Sequence, residues 1–257
     1  MGFLINPYLV QPSSAYDSDA QAFFTAAGIT DTTQKSAVNQ LVLDLKSYSI
    51  WTKMSAIYPF VGGTSTTHSY NLKNTAQYQI TWNGGFTHNS NGVTGNGTNG
   101  YGNTGLNYTT LNSGHQTLYS RSAVTESGAV YDMGAFNGGN TWQLLSLYSN
   151  ASLLIGGFNS DSYPRNAMSN SSGFFMNNRT GASAANLWRN GSKLTQSSQA
   201  SSAIPNINNY IAALNNAGSA QNYSAKNFAF ASIGDGLTDT EAANFYTAVQ
   251  AFQTTLS

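Results

Sequence analysis

The sequence is 257 residues long, only 8% of them are charged, and ten basic side chains balance ten acidic ones, so it lacks the basic surface that nucleic acids and anionic membranes require. The absence of cysteine excludes disulfides and thiolate metal sites, whereas 40% hydrophobic residues are ample for a buried core. No apolar run approaches the roughly 18 residues of a membrane span and no signal peptide is visible, so we expect synthesis in the cytoplasm without membrane insertion.

Residues 1–12 are too apolar for a loose tail, yet Pro7 and Pro12 interrupt them too closely for a helix. This pattern predicts an extended edge strand or an anchoring arm, which we delimit as residues 1–14. The side chains expected to make the attachment are Phe3, Leu4, Ile5, Tyr8 and Leu9.

Two helices are predicted after the arm. The first covers residues 17–27, with acidic residues at its start and Gly28 after its end. The second continues to about Trp51, because apolar residues recur on one face. These residues are Val38, Leu41, Val42, Leu45 and Tyr48. Residues 50–60 follow as a buried connection, so residues 15–60 are predicted to form a helical head packed on the rest of the chain.

From residue 61 onward the hydrophobic pattern changes to a period of two, which is typical of β-strands. Residues 84–105 are rich in Gly and Asn and are predicted to form a long surface loop or a pair of tight turns. Short strands separated by turn signals indicate an antiparallel sandwich or jelly roll over residues 61–257. The strands are predicted at residues 68–72, 78–82, 117–122, 129–133, 141–148, 152–155 and 173–177.

The last third of the chain carries the clearest local signals. Asn190 and Gly191 between two short apolar runs predict a β-hairpin with a type I′ turn. Residues 228–233 suit a strand buried on both faces. Thr238 and Glu241 have the spacing of a capping box, so a helix should follow. Its apolar stripe consists of Ala242, Phe245, Val249, Phe252 and Leu256.

The hairpin of residues 187–192, the strand and turn of residues 228–236 and the helix start of residues 237–242 resemble the concanavalin A-like (laminin G-like) jelly roll. Residues 45–63 and 96–101 are similar to stretches of virion structural and tail-fibre-like proteins of tailed bacteriophages that carry this fold. The resemblance implies a mainly β protein, an antiparallel concanavalin A-like jelly-roll sandwich with N-terminal helices and a C-terminal helix. It also implies a virion surface component or fibre domain, a class often presumed to bind glycan.

A glycanase on this sandwich would need two carboxylates flanking the scissile bond, and the glucanase members of the fold place them on one strand as Glu-x-Asp-x-x-Glu. The sequence does not contain that motif. Glu126 falls in a predicted turn and capping explains Glu241, while Asp132 and Asp161 are isolated. We therefore predict no catalytic residue and no enzyme activity.

The three histidines, His68, His88 and His115, show no metal-ligand spacing. The sequence thus gives no local support for a zinc site or for a Ser-His-Asp arrangement, and convergence in space stays open. We interpret them as polar strand or loop residues. Asp17 and Asp19 are interpreted as a helix start and not as calcium ligands, so no metal and no cofactor are predicted.

Sugar binding needs an exposed aromatic face with amide or carboxylate partners nearby. One predicted loop offers Tyr101 with Asn99 and Asn103. A second offers a similar set, Asp161, Tyr163 and Arg165. The alternative is that each tyrosine only plugs a turn. The tryptophans are expected to be structural, namely Trp51 between the helical head and the sandwich and Trp82, Trp142 and Trp188 in the core.

The leading hypothesis is a non-enzymatic bacteriophage virion structural protein, a capsid-decorating or fibre protein exposed on the particle and made in the host cytoplasm. Its expected partners are other virion proteins of the capsid or tail and further copies of itself. The alternative is a glycan-binding receptor-recognition module of a tail fibre, with a host-surface glycan as ligand, and a glycanase is the third hypothesis. The first two are compatible, because a fibre can also bind sugar.

Overall fold

The computed structural model describes residues 16–257 apart from 125, 127, 139–141, 147–152 and 161–163. The predicted arm of residues 1–14 lies outside the described residues, as do Asp161 and Tyr163. Some further side chains, that of Trp142 among them, are also outside the description. What the structure describes is a mainly β sandwich with helices near both ends of the sequence, which confirms the predicted fold class.

Four α-helices lie in the described part of the chain: α1 (Ser18–Ala27), α2 (Thr32–Ser47), α3 (Ser65–Ser69) and α4 (Asp239–Thr255). Gly28 ends α1 in the left-handed conformation, at φ 69°, as predicted. Thr238 caps α4, and Glu241 completes the predicted capping box. Neither these helices nor any other described helix has the length and apolarity that a membrane crossing requires.

The described strands form two sheets that are almost entirely antiparallel. The strands are β1 (Met54–Tyr58), β2 (Thr81–Asn83), β3 (Phe86–Asn89), β4 (Gly92–Gly95), β5 (Tyr101–Asn103), β6 (Gly114–Ser120), β7 (Met133–Phe136), β8 (Trp142–Ser146), β9 (Leu153–Ser160), β10 (Arg165–Ala167), β11 (Gly173–Gly181), β12 (Ala184–Arg189), β13 (Ser192–Ser197), β14 (Tyr210–Ile211), β15 (Leu214–Asn216), β16 (Ser219–Gln221) and β17 (Asn227–Gly234).

The first sheet has the order β13-β12-β11-β6-β17-β4-β3, with β1 also paired to β17. The second sheet has the order β10-β9-β8-β7-β14-β5-β2, with β15 parallel to β7 and paired with β16. One apolar core lies between the two sheets and includes Leu118, Phe158 and Phe228. The other joins α1, α2 and α4 to the outer face of the first sheet. The molecule therefore has three layers, and α1, α2 and α4 leave the outer face of the second sheet uncovered.

The hairpin that joins β12 to β13 has the predicted turn. Asn190 and Gly191 adopt φ values of 47° and 77°, which a type I′ turn requires. A Cβ on Gly191 would lie 2.5 Å from the ring of Tyr246, so only glycine lets this turn pack against α4. The turn signal therefore also fixes where the last helix crosses the sheet.

Several predictions of local structure are wrong, and the strand predicted at residues 129–133 begins only at Met133. Residues 68–72 were expected to be a strand, but Thr64 forms a capping box with Thr67 and starts α3. The second helix ends at Ser47 and not at about Trp51, since Ser49 turns the backbone to φ 60°. The predicted connection of residues 50–60 contains β1, because its alternating apolar residues pair with the buried strand β17.

Of the two alternatives predicted for residues 84–105, the long surface loop is wrong, because the segment contains the short strands β3, β4 and β5 with tight turns between them. Its glycines suggested a loop, yet Gly92 belongs to a strand. A Cβ on Gly92 would lie 2.2 Å from the carbonyl oxygen of Phe228 in β17. Glycine is required here both by the close approach of two strands and by a φ of 115°, which other residues rarely adopt.

The tryptophans whose side chains the structure describes are structural to different degrees. Trp51 and Trp188 are buried in the core between the helices and the first sheet. Trp82 is half-buried against the core between the sheets, and its indole N–H donates to the Ser65 carbonyl at 3.0 Å. The expectation for Trp142 falls on a side chain outside the described residues.

Candidate functional site

The predicted residues Tyr101 and Asn103 lie on β5, and both face away from the interior of the sandwich. Gly102 between them faces inward, since a Cβ on it would lie 2.8 Å from side chains packed in the core between the sheets. Side chains alternate across a strand, so its two neighbours face outward. Tyr210 of β14 is paired with Asn103 and faces the same side.

These outward side chains form one group. The rings of Tyr101 and Tyr210 are stacked, with centroids 4.6 Å apart and planes inclined by 27°. Asn208 donates from Nδ2 to Oδ1 of Asn103 at 3.2 Å. Burial raises the pKa of Tyr210, with the neighbouring Tyr101 adding to the effect, so its phenol stays protonated at neutral pH. We call Tyr101, Asn103, Asn208 and Tyr210 the tyrosine platform.

Asn99 has a structural task in the turn before β5. Its Oδ1 accepts from the backbone N–H of Gly85 at 3.1 Å and from Nδ2 of Asn96 at 2.7 Å. In return Asn96 accepts from the backbone N–H of Asn99 at 3.1 Å. The side-chain amide oxygen of Asn99 is thus engaged in hydrogen bonds within the turn. This predicted ligand residue is not part of the platform.

Only one member of the second predicted set, Arg165, belongs to the described residues. Arg165 is exposed on β10, whereas Asp161 and Tyr163 lie outside the described residues. Four strands separate β10 from β5 in the second sheet, which amounts to about 24 Å at the usual strand spacing. Arg165 is therefore not part of the tyrosine platform.

The structure contains a second candidate site, which the sequence analysis did not predict. It is a cleft of about 490 Å³ where the C-terminal half of α4 crosses the ends of β6, β11 and β12. Arg121 follows β6, and Arg189 ends β12. The register brings them together, because β11 pairs Gly173 with Ser120 and Phe175 with Arg189. We call this the arginine cleft.

The guanidinium groups of the cleft are fixed by neutral partners. Arg121 donates from Nη2 to Oε1 of Gln253 at 2.9 Å. Arg189 donates from Nη2 to Oδ1 of Asn170 at 2.9 Å, and its guanidinium carbon lies 5.4 Å from the centre of the Phe175 ring. Burial lowers the pKa of the Arg189 guanidinium. No described aspartate or glutamate side chain lines the cleft to neutralise the charge of the two arginines.

Two histidines that show no metal-ligand spacing in the sequence lie in contact in the structure. His68 of α3 and His88 of β3 have their Nδ1 atoms 3.0 Å apart. The backbone N–H of Gly63 donates to Nε2 of His68 at 3.3 Å, so we assign the proton of His68 to Nδ1, from which it is donated to His88. Burial lowers the pKa of His68 to about 3, with His88 adding to the effect, so at neutral pH the pair is uncharged.

His115 forms a Ser-His arrangement that the spacing did not indicate. Its Nδ1 donates to the carbonyl of Asp235 at 2.6 Å, and its Nε2 lies 3.2 Å from the hydroxyl of Ser232. Both His115 and Ser232 are completely buried. A nucleophile needs access to substrate, so this arrangement is structural.

The acidic residues considered for catalysis are engaged in ion pairs. Lys226 is buried and bonds to Glu126 and to Asp132, the latter at 3.1 Å. Glu241 pairs with Lys53 at 2.6 Å besides capping α4. Among the residues that the structure describes, no three His, Asp or Glu side chains form a group that could hold a metal ion.

Neither a family model nor a curated protein sequence matches this chain. Solved structures do resemble it. A mutant of Trypanosoma rangeli sialidase displaying trans-sialidase activity has a TM-score of 0.55 at 11% identity, over 84% of this chain and 39% of that one. T. rangeli sialidase itself gives 0.52 at 10% identity, over 85% and 39%.

A smaller protein is similar over nearly its whole length. Domain 4 of AbnA, a GH43 extracellular arabinanase from Geobacillus stearothermophilus, was solved in complex with arabinotriose. It has a TM-score of 0.50 at 14% identity, over 75% of this chain and 98% of that domain. This chain spans well under half the length of the sialidases and about the length of the arabinanase domain. At such identities the comparison establishes a shared β-sandwich fold.

Proposed function

We propose that this chain is a non-enzymatic carbohydrate-binding protein on the surface of a bacteriophage particle. The observation that carries the binding function is the tyrosine platform on the uncovered face of the second sheet. The half-buried ring of Tyr101, stacked on the buried ring of Tyr210, offers an apolar surface to the C–H face of a sugar, and the amides of Asn103 and Asn208 can bond its hydroxyl groups. This combination needs no charged side chain, which suits a neutral glycan.

The similar structures support a carbohydrate ligand. The arabinanase domain binds arabinotriose in its solved complex, and the chain covers nearly all of that domain. The sialidases that share the fold are also carbohydrate-active proteins. A sandwich of this kind is therefore compatible with sugar binding, and the platform supplies the residues.

The positions of the carboxylates support a binding protein over a glycanase. A glycosidase of the common kind places two carboxyl groups on either side of the scissile bond. In the described part of the chain, Glu126 and Asp132 are bonded to Lys226, and Glu241 is bonded to Lys53. No described aspartate or glutamate side chain lines the arginine cleft or belongs to the tyrosine platform.

A glycan array followed by titration calorimetry tests the binding function. We expect binding of at least one neutral oligosaccharide, weakened about three- to tenfold in Tyr101→Ala, because the stacked ring is lost. Tyr101→Phe retains the ring and should bind nearly as the wild type. Tyr48→Ala removes a half-buried tyrosine that directly follows α2, on the opposite side of the first sheet, and should not change the affinity. No binding across the array would overturn the proposal.

The place on a phage particle is supported by the resemblance of residues 45–63 and 96–101 to virion proteins and by the weakly charged surface. In this proposal residues 1–12 attach the protein to a capsid or tail partner, and copies of the chain associate. We expect the protein in mass spectra of purified particles of the phage that encodes it, and we expect deletion of residues 1–12 to abolish incorporation. Particles that lack the wild-type protein would contradict the virion role, and normal incorporation of the deletion variant would contradict the arm.

A further inference from the structure

We propose that the arginine cleft binds the carboxylate or sulfate group of an acidic saccharide, at a site separate from the tyrosine platform. This inference rests on the proposed carbohydrate-binding function for the nature of the ligand. Its own basis is the charge and geometry of Arg121 and Arg189.

Neither arginine of the cleft belongs to the ion pairs of the described chain. Lys46, Lys53, Lys193 and Lys226 each form an ion pair with a carboxylate. Arg121 and Arg189 form none with any described carboxylate, although they lie in the same cleft. Both guanidinium groups line the cleft, so an anion bound there would gain Coulomb attraction from each of them.

The guanidinium groups retain donors for a ligand. Within the described chain each arginine donates hydrogen bonds only from Nη2, to neutral acceptors. The Nε atom of each arginine is buried and has no hydrogen-bond partner. The two Nη1 atoms are not among the buried atoms without a partner. The Nη1 groups of Arg121 and Arg189 are thus free and accessible on groups already held in place. Guanidinium groups match the planar geometry of a carboxylate, and they also bind sulfate oxygens well.

The rest of the lining suits the neutral part of a sugar. Tyr246 contributes a ring from α4, and its hydroxyl makes no hydrogen bond within the described residues. Tyr119 donates to Oε1 of Gln250 at 3.3 Å, so a phenol and an amide lie together at the cleft. The volume of about 490 Å³ lies within the range of small-ligand sites. Two cations, two phenols and an amide therefore favour an acidic sugar over a bare anion.

Titration calorimetry with defined probes tests the inference. The probes are 3′-sialyllactose and digalacturonic acid for the carboxylate, lactose sulfate for the sulfate, and lactose as the neutral reference. We expect at least one acidic probe to bind more tightly than lactose, and its affinity to fall as NaCl is raised from 50 to 500 mM. Arg121→Gln and Arg189→Gln should each weaken that probe roughly tenfold to a hundredfold.

Controls separate charge from folding. Lys35→Gln removes one positive charge on α2, away from the cleft, and should leave the affinity unchanged. Arg121→Lys and Arg189→Lys retain the charge but lose the planar fork, so each should fall between the wild type and its Gln variant. Thermal unfolding of each variant identifies any that fails to fold. If a Gln variant fails to fold, the Lys variant of the same arginine is used in its place.

The outcomes distinguish this inference from the proposed function. Acidic probes that bind no better than lactose, or folded arginine variants that bind like the wild type, would overturn the cleft as an anion site. Neutral glycan binding that depends on Tyr101 would survive that result. Acidic binding that is lost in Tyr101→Ala and retained in the arginine variants would assign the ligand to the tyrosine platform and also refute the inference.

Discussion

Lys226→Met is expected to lower the free energy of unfolding by about 3–5 kcal/mol, the cost of leaving buried charges without their partner. The Lys226 and Asp132 side chains are completely buried, and that of Glu126 is only 13% exposed. Both carboxylates bond to Nζ of Lys226, so the substitution leaves two negative charges near each other, with the Ser224 hydroxyl and the Ala225 N–H as neutral donors. Urea denaturation at pH 7 measures the loss. A single variant within about 1 kcal/mol of the wild type would show that water reaches the carboxylates.

The matched control neutralises the whole group. Adding Glu126→Gln and Asp132→Asn to Lys226→Met should recover most of the lost stability, since replacing all partners is far less costly than removing one. The same group gives a pH dependence. Burial would lower the pKa of Lys226, but the charges of Asp132 and Glu126 outweigh it and raise the pKa above its usual value. A raised lysine pKa stabilises the fold below about pH 10.5, and the contribution is lost as the pH rises through the folded-state pKa.

The elements that were predicted correctly carry their signals within a few residues. The turn at Asn190 and Gly191 needs two positive φ angles, which this pair of residues favours. The start of α4 depends on Thr238 and Glu241, three positions apart. The alternation of residues 228–233 follows from burial of both faces of β17, between the two cores. Local chemistry decides each of these, so the sequence is sufficient.

The elements that were missed depend on distant partners. The strand β1 is short, and its conformation is fixed by pairing with β17, about 180 residues further along the chain. Gly92 lies in a Gly- and Asn-rich segment that is typical of a loop, but it belongs to β4 and packs closely against β17. The binding residues follow the same division, because Tyr101 meets Tyr210 and Arg121 meets Arg189 only through sheet register. A single sequence shows neither pair, although four arginines in a chain of 257 residues are few enough to be worth placing.

Phe245→Ala is expected to lower the free energy of unfolding by about 3–5 kcal/mol, as truncation of a buried phenylalanine usually does. Phe245 is completely buried on α4. Its ring meets those of Phe174 at 5.5 Å, Phe230 at 6.0 Å and His115 at 5.7 Å, all from the first sheet. Phe245→Leu fills most of the volume and should cost clearly less. Thr247→Ala, on the exposed side of α4, should change stability by less than about 0.5 kcal/mol.

Phe245→Ala also tests whether the two proposed sites are independent of each other. Tyr246 and Gln250 of the arginine cleft are carried by α4, and the partner of Arg121, Gln253, belongs to the same helix. The tyrosine platform lies on the second sheet, on the other side of the core between the sheets. If Phe245→Ala loosens α4 before the sandwich unfolds, binding of an acidic sugar should weaken at temperatures where neutral glycan binding persists. Parallel titrations of the folded variant measure both, and simultaneous loss of the two activities would show that α4 and the second sheet form one cooperative unit.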